Sequence, residues 1–281
     1  MTPVSGFPCP VVVLVHGSGP GNRNSSMHGS PNQLFQDLAY GLALKGIASI
    51  RYDKRTLVYP HSYKDSVNLY NEVIEDAISG VKLATTYDFI DSSKIYVLGH
   101  SLGGYAAPAI GESSQAAGVI MLAAPSRKLH HILPEQYEYI FMEDSVLSDE
   151  EKQFVDDVKE EVNFLDGKPS QVNELNRIGN HLMVPYFRTL NQYNPIEIIN
   201  RYEKPTLILQ GERDYQVSFV KDYLNFDRYV GHEPYVTLNS YPMLDHLFMP
   251  GEGPSYPSDY RKPNHIELQV VEDIATWISN Q

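Results

Sequence analysis

The sequence holds a single cysteine, Cys9, among 281 residues. One cysteine excludes an intrachain disulfide and fits a reducing compartment. It stands between Pro8 and Pro10 just ahead of an apolar run, so it reads as a buried thiol rather than a nucleophile. No apolar stretch approaches the length of a membrane span; the best, Val11 to Val15, has strand length. No basic segment followed by an apolar one opens the chain. No signal peptide is therefore visible, and a cytoplasmic location is expected. Cationic charge is scarce, with 22 Lys and Arg against 35 Asp and Glu, a net charge of −13. Such a chain repels phosphate backbones and anionic lipid, so neither nucleic acid nor a membrane is an expected partner. The acidity is uneven: residues 133–178 carry 13 acidic and 4 basic side chains, a balance of −9. No internal repeat is present. No glycine-rich stretch is followed by Lys-Ser or Lys-Thr, which removes the usual phosphate cradle.

What is present is a rhythm of short apolar runs and amphipathic stretches, the pattern of parallel strands joined by crossover helices. Val11 to Val15 is β-branched throughout but for Leu14, as suits a strand buried on both faces. Further strands are expected over Ile47–Tyr52, Lys94–Leu98, Gly118–Ala123, Pro205–Gln210 and Tyr235–Leu238. Helices are expected over Pro31–Lys45, Ser66–Tyr87, from Ser101 onward, Gln216–Phe226 and His265–Ile278. Asp91-Ser92-Ser93 reads as a turn, and Met249 to Pro263, rich in Pro and Gly, as a long loop.

The rhythm breaks between about Ser126 and Arg201, where stretches are helical and acidic. Ser148 with Glu151 three residues on predicts a capped helix with Phe154, Val155, Val158 and Val162 on one face. The expected fold class is α/β, with about six mostly parallel strands flanked by helices. Residues 1–125 and 202–281 would form the core, and 126–201 a helical lid or cap.

Gly99-His100-Ser101-Leu102-Gly103 has the form G-x-S-x-G. It signifies a nucleophile only where a strand precedes and a helix follows, and both are expected here. Ser101 then needs a base. Among the late histidines, His232 precedes a strand and His265 opens a helix, so both face solvent more naturally. His246 follows the last strand, where it can reach over the carboxyl edge of the sheet and take the Ser101 proton. The acid belongs after the strand near Leu207, where Glu212 and Asp214 both stand. Asp214 has an alternative use as the cap of the helix near Gln216. Asp245 adjoins His246, and neighbours on an extended loop point apart, so it is rejected. Acyl transfer also needs donors for the oxyanion. The backbone N–H of Leu102 is one, and His16-Gly17-Ser18-Gly19 supplies another, with Ser18 N–H taken over that of Gly17.

Together these residues resemble the α/β-hydrolase superfamily. Within it they are similar to the dienelactone-hydrolase-like and prolyl-oligopeptidase-like serine esterases of bacteria. The shared signatures are His16-Gly17-Ser18-Gly19-Pro20 with Asn22-Arg23-Asn24, Arg51-Tyr52-Asp53-Lys54-Arg55, Gly99 to Gly104, Gln210 to Tyr215, and Asp245 to Phe248. The resemblance implies a carboxylesterase with no cofactor or metal and a small-molecule ester as substrate, and carries the triad onto Ser101, Asp214 and His246. Self-association stays open. A peptidase or thioesterase would use the same triad. A non-catalytic binding protein of this fold would show a broken triad, and all three positions are filled. Such relatives usually have additional strands before the first Gly-rich loop, whereas ten residues precede Val11 here. Arg51 to Arg55 would either bind an anionic substrate or tie loops together by ion pairs. Tyr137, Tyr139, Tyr186, Phe187 and Tyr193 would line a substrate pocket or form the insertion's own core.

Overall fold

A computed structural model describes residues 1–26, 29–61, 67–179 and 183–281. Six strands form one sheet: β1 (Cys9–Val15), β2 (Ala48–Ile50), β3 (Ile90–His100), β4 (Gly118–Leu122), β5 (Thr206–Gly211) and β6 (Val236–Tyr241). Their order is β2-β1-β3-β4-β5-β6 and every pairing is parallel. Around them lie α1 (Leu34–Leu44), α2 (Arg55–Val58), α3 (Glu75–Ala84), α4 (Leu102–Glu112), α5 (Leu129–Phe141), α6 (Asp149–Leu165), α7 (Val184–Leu190), α8 (Pro195–Tyr202), α9 (Leu224–Val230) and α10 (Leu268–Ser279).

Strand periodicity divides the core in two. Val11, Val13 and Val15 face the side covered by α3 and α4, with Ala77, Val81 and Ile110. Val12 and Leu14 face the side covered by α1 and α10, with Leu38, Val270 and Ile274. Both sides are apolar, which is why the central strands are continuous hydrophobic runs.

The expected strands are present, with shifted ends. The Asp91-Ser92-Ser93 stretch lies inside β3 rather than in a separate turn. Ser93 N–H still bonds the Asp91 carboxylate at 3.0 Å, and the β1–β3 register is irregular there. Two helices begin with a π-helical turn, Tyr70–Ile74 before α3 and Phe219–Tyr223 before α9. The helix expected over Ser66–Tyr87 thus contains one of these turns, and Ser66 itself lies outside the described residues. The closing helix starts at Leu268 rather than His265, because Ile266 N–H is held by the Asp37 carboxylate at 3.2 Å. Pro108 sits within α4 without ending it.

The long excursion between β4 and β5 contains α5 to α8. Ser148 and Glu151 form the expected reciprocal cap of α6. The excursion leaves the sheet at Ser126 and Arg127, both bonded to the fully buried Asp222. Arg127 also forks onto Glu135 of α5. Among the described residues no helix is long and apolar enough to cross a membrane.

β1 lies inside the sheet, one strand from its edge, and the path after it reverses direction. The chain moves to one side for β2 and to the other for β3. The β1 and β3 carboxyl ends, paired at Val15 and Gly99, thus release their loops beside one another. In open parallel sheets such a switch point is where ligands bind.

Candidate active site

Ser101 stands between β3 and α4 with φ 56° and ψ −119°. A side-chain-bearing residue enters this region only when its surroundings force it. Here the Ser101 N–H bonds the Leu122 carbonyl at the end of β4 at 2.9 Å. The turn is also crowded: a Cβ on Gly103 would lie 2.2 Å from the Val15 carbonyl oxygen. The spacing of the motif is thus a packing requirement. Leu102 opens α4, so its backbone N–H is among those a helix cannot satisfy internally.

The loop after β1 comes close to this turn. A Cβ built on Gly17 would lie 3.1 Å from Ser101 Cβ and 3.6 Å from its Oγ. Gly17, Ser18, Ser101 and His246 line one cavity of about 420 Å³, walled on the far side by Leu129, Ile132 and Leu133 of α5.

Asp214 follows β5 and His246 follows β6. The His246 Nδ1–H donates to Asp214 Oδ2 at 2.7 Å, with both side chains buried. Asp214 does not cap the following helix, whose N-cap is Ser218; its carboxylate instead joins His246 to the turn that leads there. Its Oδ1 accepts from the N–H groups of Gln216 and Val217 at 2.8 and 3.0 Å, while Oδ2 takes His246 and the Gln210 amide at 2.9 Å. Glu212 instead accepts from the Ser240 hydroxyl at 2.7 Å. The rival histidines are exposed, His232 beside Glu233 and His265 beside Asp37. Asp245 does not touch the imidazole of its neighbour. Its carboxylate accepts from Leu247 and Met249 N–H and so shapes the loop that carries His246.

Several contributors carry no linear signal. The His100 Nε2–H donates to the His246 carbonyl at 2.9 Å, and the two rings lie 4.6 Å apart. Burial above all, with the His246 ring beside it, pushes its pKa down to about 3, so it is neutral and acts as a strut. His16 is also neutral: burial lowers its pKa to about 4, and its Nε2–H bonds the Asn22 carbonyl at 2.8 Å. In G-x-S-x-G the residue at the position of His100 is unspecified, so the motif gives no hint of the first.

The Arg51–Arg55 segment ties loops together. Asp53 binds Arg23, which holds its carboxyl down to about 2. Arg51 donates to Asn24, and Arg55 binds Glu75 and Asp76. Lys54 is buried and reaches Gly17 and Glu72. The insertion's aromatics divide between the two expected uses. Tyr137 packs with Phe141 and Phe154, and the Tyr193 carbonyl accepts the Tyr105 hydroxyl. Tyr139 stacks on Tyr215. Tyr186 and Phe187 line a second cavity of about 310 Å³ that shares Ser18, Pro20, Leu129 and Leu133 with the first.

Among the described residues, one group of side chains has metal-ligating atoms close together: His130, His131 and Asp166. Lys128 and Lys168 also sit on that carboxylate, at 3.2 and 2.8 Å. Two cations already neutralise it, so the cluster fits a tie between α5 and the end of α6 better than a cation site.

A parallel sheet with a serine elbow after β3, an acid after β5 and a histidine after β6 defines the α/β-hydrolase fold. The family model described as serine aminopeptidase, S33, matches residues 8–252, and the chain belongs to that family. It is 35% identical over 276 residues to Esterase EstD of Thermotoga maritima, covering 98% of this chain and 63% of that protein. The chain thus spans less than two thirds of that relative. Est1E from Butyrivibrio proteoclasticus shares the fold with a TM-score of 0.59 and 17% identity, over 99% of this chain and 91% of that one. The esterase domain of a Rhodothermus marinus protein does so with a TM-score of 0.55 and 16% identity, over 99% and 90%.

Proposed function

We propose that this chain hydrolyses carboxylic esters of small to medium acyl groups through an acyl-enzyme on Ser101. The observation that carries the reading is the 2.7 Å contact between His246 Nδ1 and Asp214, beside a cavity that His246 shares with the strained Ser101. With Nδ1 committed, Nε2 is the ring nitrogen left to take the serine proton. Ser101 Oγ then attacks the ester carbonyl, and the N–H groups of Ser18 and Leu102 receive the oxyanion. The imidazolium returns its proton to the departing alcohol. Water, deprotonated by the same nitrogen, releases the acid. The similarity to an esterase supports an ester over other acyl donors.

Residues 126–201 act in this reading as the cap that selects substrate, with α5 supplying Leu129 and Leu133 to both cavities. The second cavity is lined mainly by apolar side chains and suits the acyl group. An aminopeptidase needs a carboxylate free to hold an α-ammonium. Among the described lining residues the acid is Glu72, already paired with Lys54. That favours esters over peptides.

A fluorophosphonate probe is expected to label the native protein at Ser101. Ser101→Ala should abolish both labelling and p-nitrophenyl butyrate hydrolysis. Unchanged hydrolysis in that variant would place the nucleophile elsewhere. A panel of esters of graded acyl length, run beside a peptide and a thioester, tests the substrate class.

A further inference from the structure

Lys54 is a lysine with almost no access to water; its side chain is 2% exposed and that of Glu72 5%. Burying an ammonium is costly unless it is paired, and its pairing here is specific. Lys54 Nζ donates to Glu72 Oε1 at 2.6 Å and to the Gly17 carbonyl oxygen at 2.9 Å. The Tyr186 hydroxyl donates to the other carboxylate oxygen, Glu72 Oε2, at 2.6 Å. The backbone N–H of Lys54 also bonds the Gly21 carbonyl at 2.8 Å. One residue thus grips the loop after β1 at both ends.

The consequence lies in the peptide that joins Gly17 to Ser18. A trans peptide is planar, and its C=O and N–H point in opposite directions. An ammonium fixed on the Gly17 oxygen therefore fixes the direction of the Ser18 N–H on the far side. It also draws electron density toward that oxygen, making the N–H a stronger donor. Glu72 lies in the π-helical turn ahead of α3, a local distortion often found at functional sites. Tyr186 belongs to α7, in the excursion between β4 and β5.

We propose that Lys54 is a positioning residue for ester hydrolysis, setting the oxyanion-binding Ser18 N–H through the Gly17 carbonyl, with Glu72 and Tyr186 holding its ammonium in place. The proposal rests on the Ser18 role given above. Because Tyr186 and Glu72 also wall the second cavity, the acyl-side wall and the oxyanion donor belong to one hydrogen-bonded unit.

The test compares Lys54→Met, the charge-balanced double variant Lys54→Met/Glu72→Gln, and Tyr186→Phe. For each, kcat and KM on p-nitrophenyl butyrate are measured with the melting temperature. Affinities are taken for a trifluoromethyl ketone, which forms an oxyanion adduct on serine, and for butyrate, which does not. Loss of a whole oxyanion donor costs on the order of 10²–10³ in kcat. A misdirected donor is expected to cost about 10–100-fold. Ketone affinity should fall by the same factor, with KM and butyrate affinity little changed. The double variant should recover melting temperature over the single one and recover no kcat. Tyr186→Phe, which keeps the ring in place, should lose about 3–10-fold in both kcat and ketone affinity. Recovery of kcat together with stability in the double variant would reduce Lys54 to a structural ion pair. Should Lys54→Met not fold, wild-type kcat and ketone affinity in Tyr186→Phe would overturn the proposal instead. Failure of the unmodified protein to react with the ketone or the ester would refute the Ser101 reading itself, which separates the two outcomes.

Discussion

Replacing Asp214 by Asn exchanges one carboxylate oxygen for an NH₂ group at a side chain whose two oxygens have different partners. Oδ1 accepts from two backbone N–H groups, and Oδ2 faces His246 and Gln210. Asparagine has two orientations. With its NH₂ toward Gln216 and Val217, three or more donors meet and two buried N–H groups lose their acceptor. Each such loss costs about 1–3 kcal/mol, so this orientation is disfavoured by about 2–6 kcal/mol. The other orientation keeps both backbone bonds and turns the NH₂ toward His246 and Gln210, whose amide still has the Gly211 and Val217 carbonyls as acceptors. The imidazole can relieve that clash by moving its proton from Nδ1 to Nε2. Nε2 then cannot accept the Ser101 proton. A wrong-tautomer histidine lowers kcat by about 10⁴, equivalent to about 5.4 kcal/mol of transition-state stabilisation. The expected result is a 10⁴-fold fall in kcat on p-nitrophenyl butyrate, with KM and melting temperature close to the parent. Asp214→Ala should lose melting temperature as well, since it also removes the two backbone bonds. A loss of less than tenfold in a folded Asn variant would refute the reasoning and direct attention to Glu212.

Two further outcomes follow from the same geometry. Gly103→Ala drives a methyl group to 2.2 Å from the Val15 carbonyl oxygen, a contact with backbone that cannot move aside. Soluble expression should fail or the melting temperature drop sharply, and a variant that melts like the parent would contradict the packing account of the elbow. His16 and His100 resist protonation in the fold, with pKa values of about 4 and 3, whereas unfolded histidine titrates near 6.5. Their contribution to stability is complete above pH 6.5 and falls as pH drops toward 4, by about 1.4 kcal/mol per pH unit for each. Denaturant titrations between pH 6.5 and 4.5 should show this slope, and His100→Gln should reduce it by the share of one histidine. An unaltered slope would mean that His100 is already charged in the fold.

Much of this was legible because the chemistry is written in short segments. Strands buried on both faces appear as unbroken apolar runs, so β1, β4 and β5 stand out. The Ser148–Glu151 cap is a local device and reads as one. Ser101 and the late His246 follow from a motif and from chain order, whereas the choice of Asp214 over Glu212 comes from the family resemblance. The features that escaped are of two kinds. A π-helical turn inserts one residue into a helical pattern, and no residue type marks the insertion, so neither Tyr70–Ile74 nor Phe219–Tyr223 is anticipated. Lys54, Glu72 and Tyr186 meet only in three dimensions, across three separate elements. Before folding, Lys54 was one charge in a cluster of five residues, with nothing to mark it as the one that would lose its water. His265 failed as a helix start for a related reason: what decides the boundary is Asp37, distant in sequence.

The excursion between β4 and β5 begins and ends on two strands that are hydrogen-bonded neighbours, with Ile120 beside Leu207. Everything between Leu122 and Thr206 departs from and returns to almost the same place on the sheet. The sheet is therefore indifferent to how much chain lies there, and closing a longer loop adds only about 0.6 kcal/mol per doubling of its length. That loop is anchored at its root by Asp222 and contributes one wall to both cavities through Leu129 and Leu133. Changes in that loop can thus reshape both cavities while the strands that carry Ser101, Asp214 and His246 stay untouched. In such a chain, the shape of the cavities and the integrity of the sheet are free to diverge at different rates.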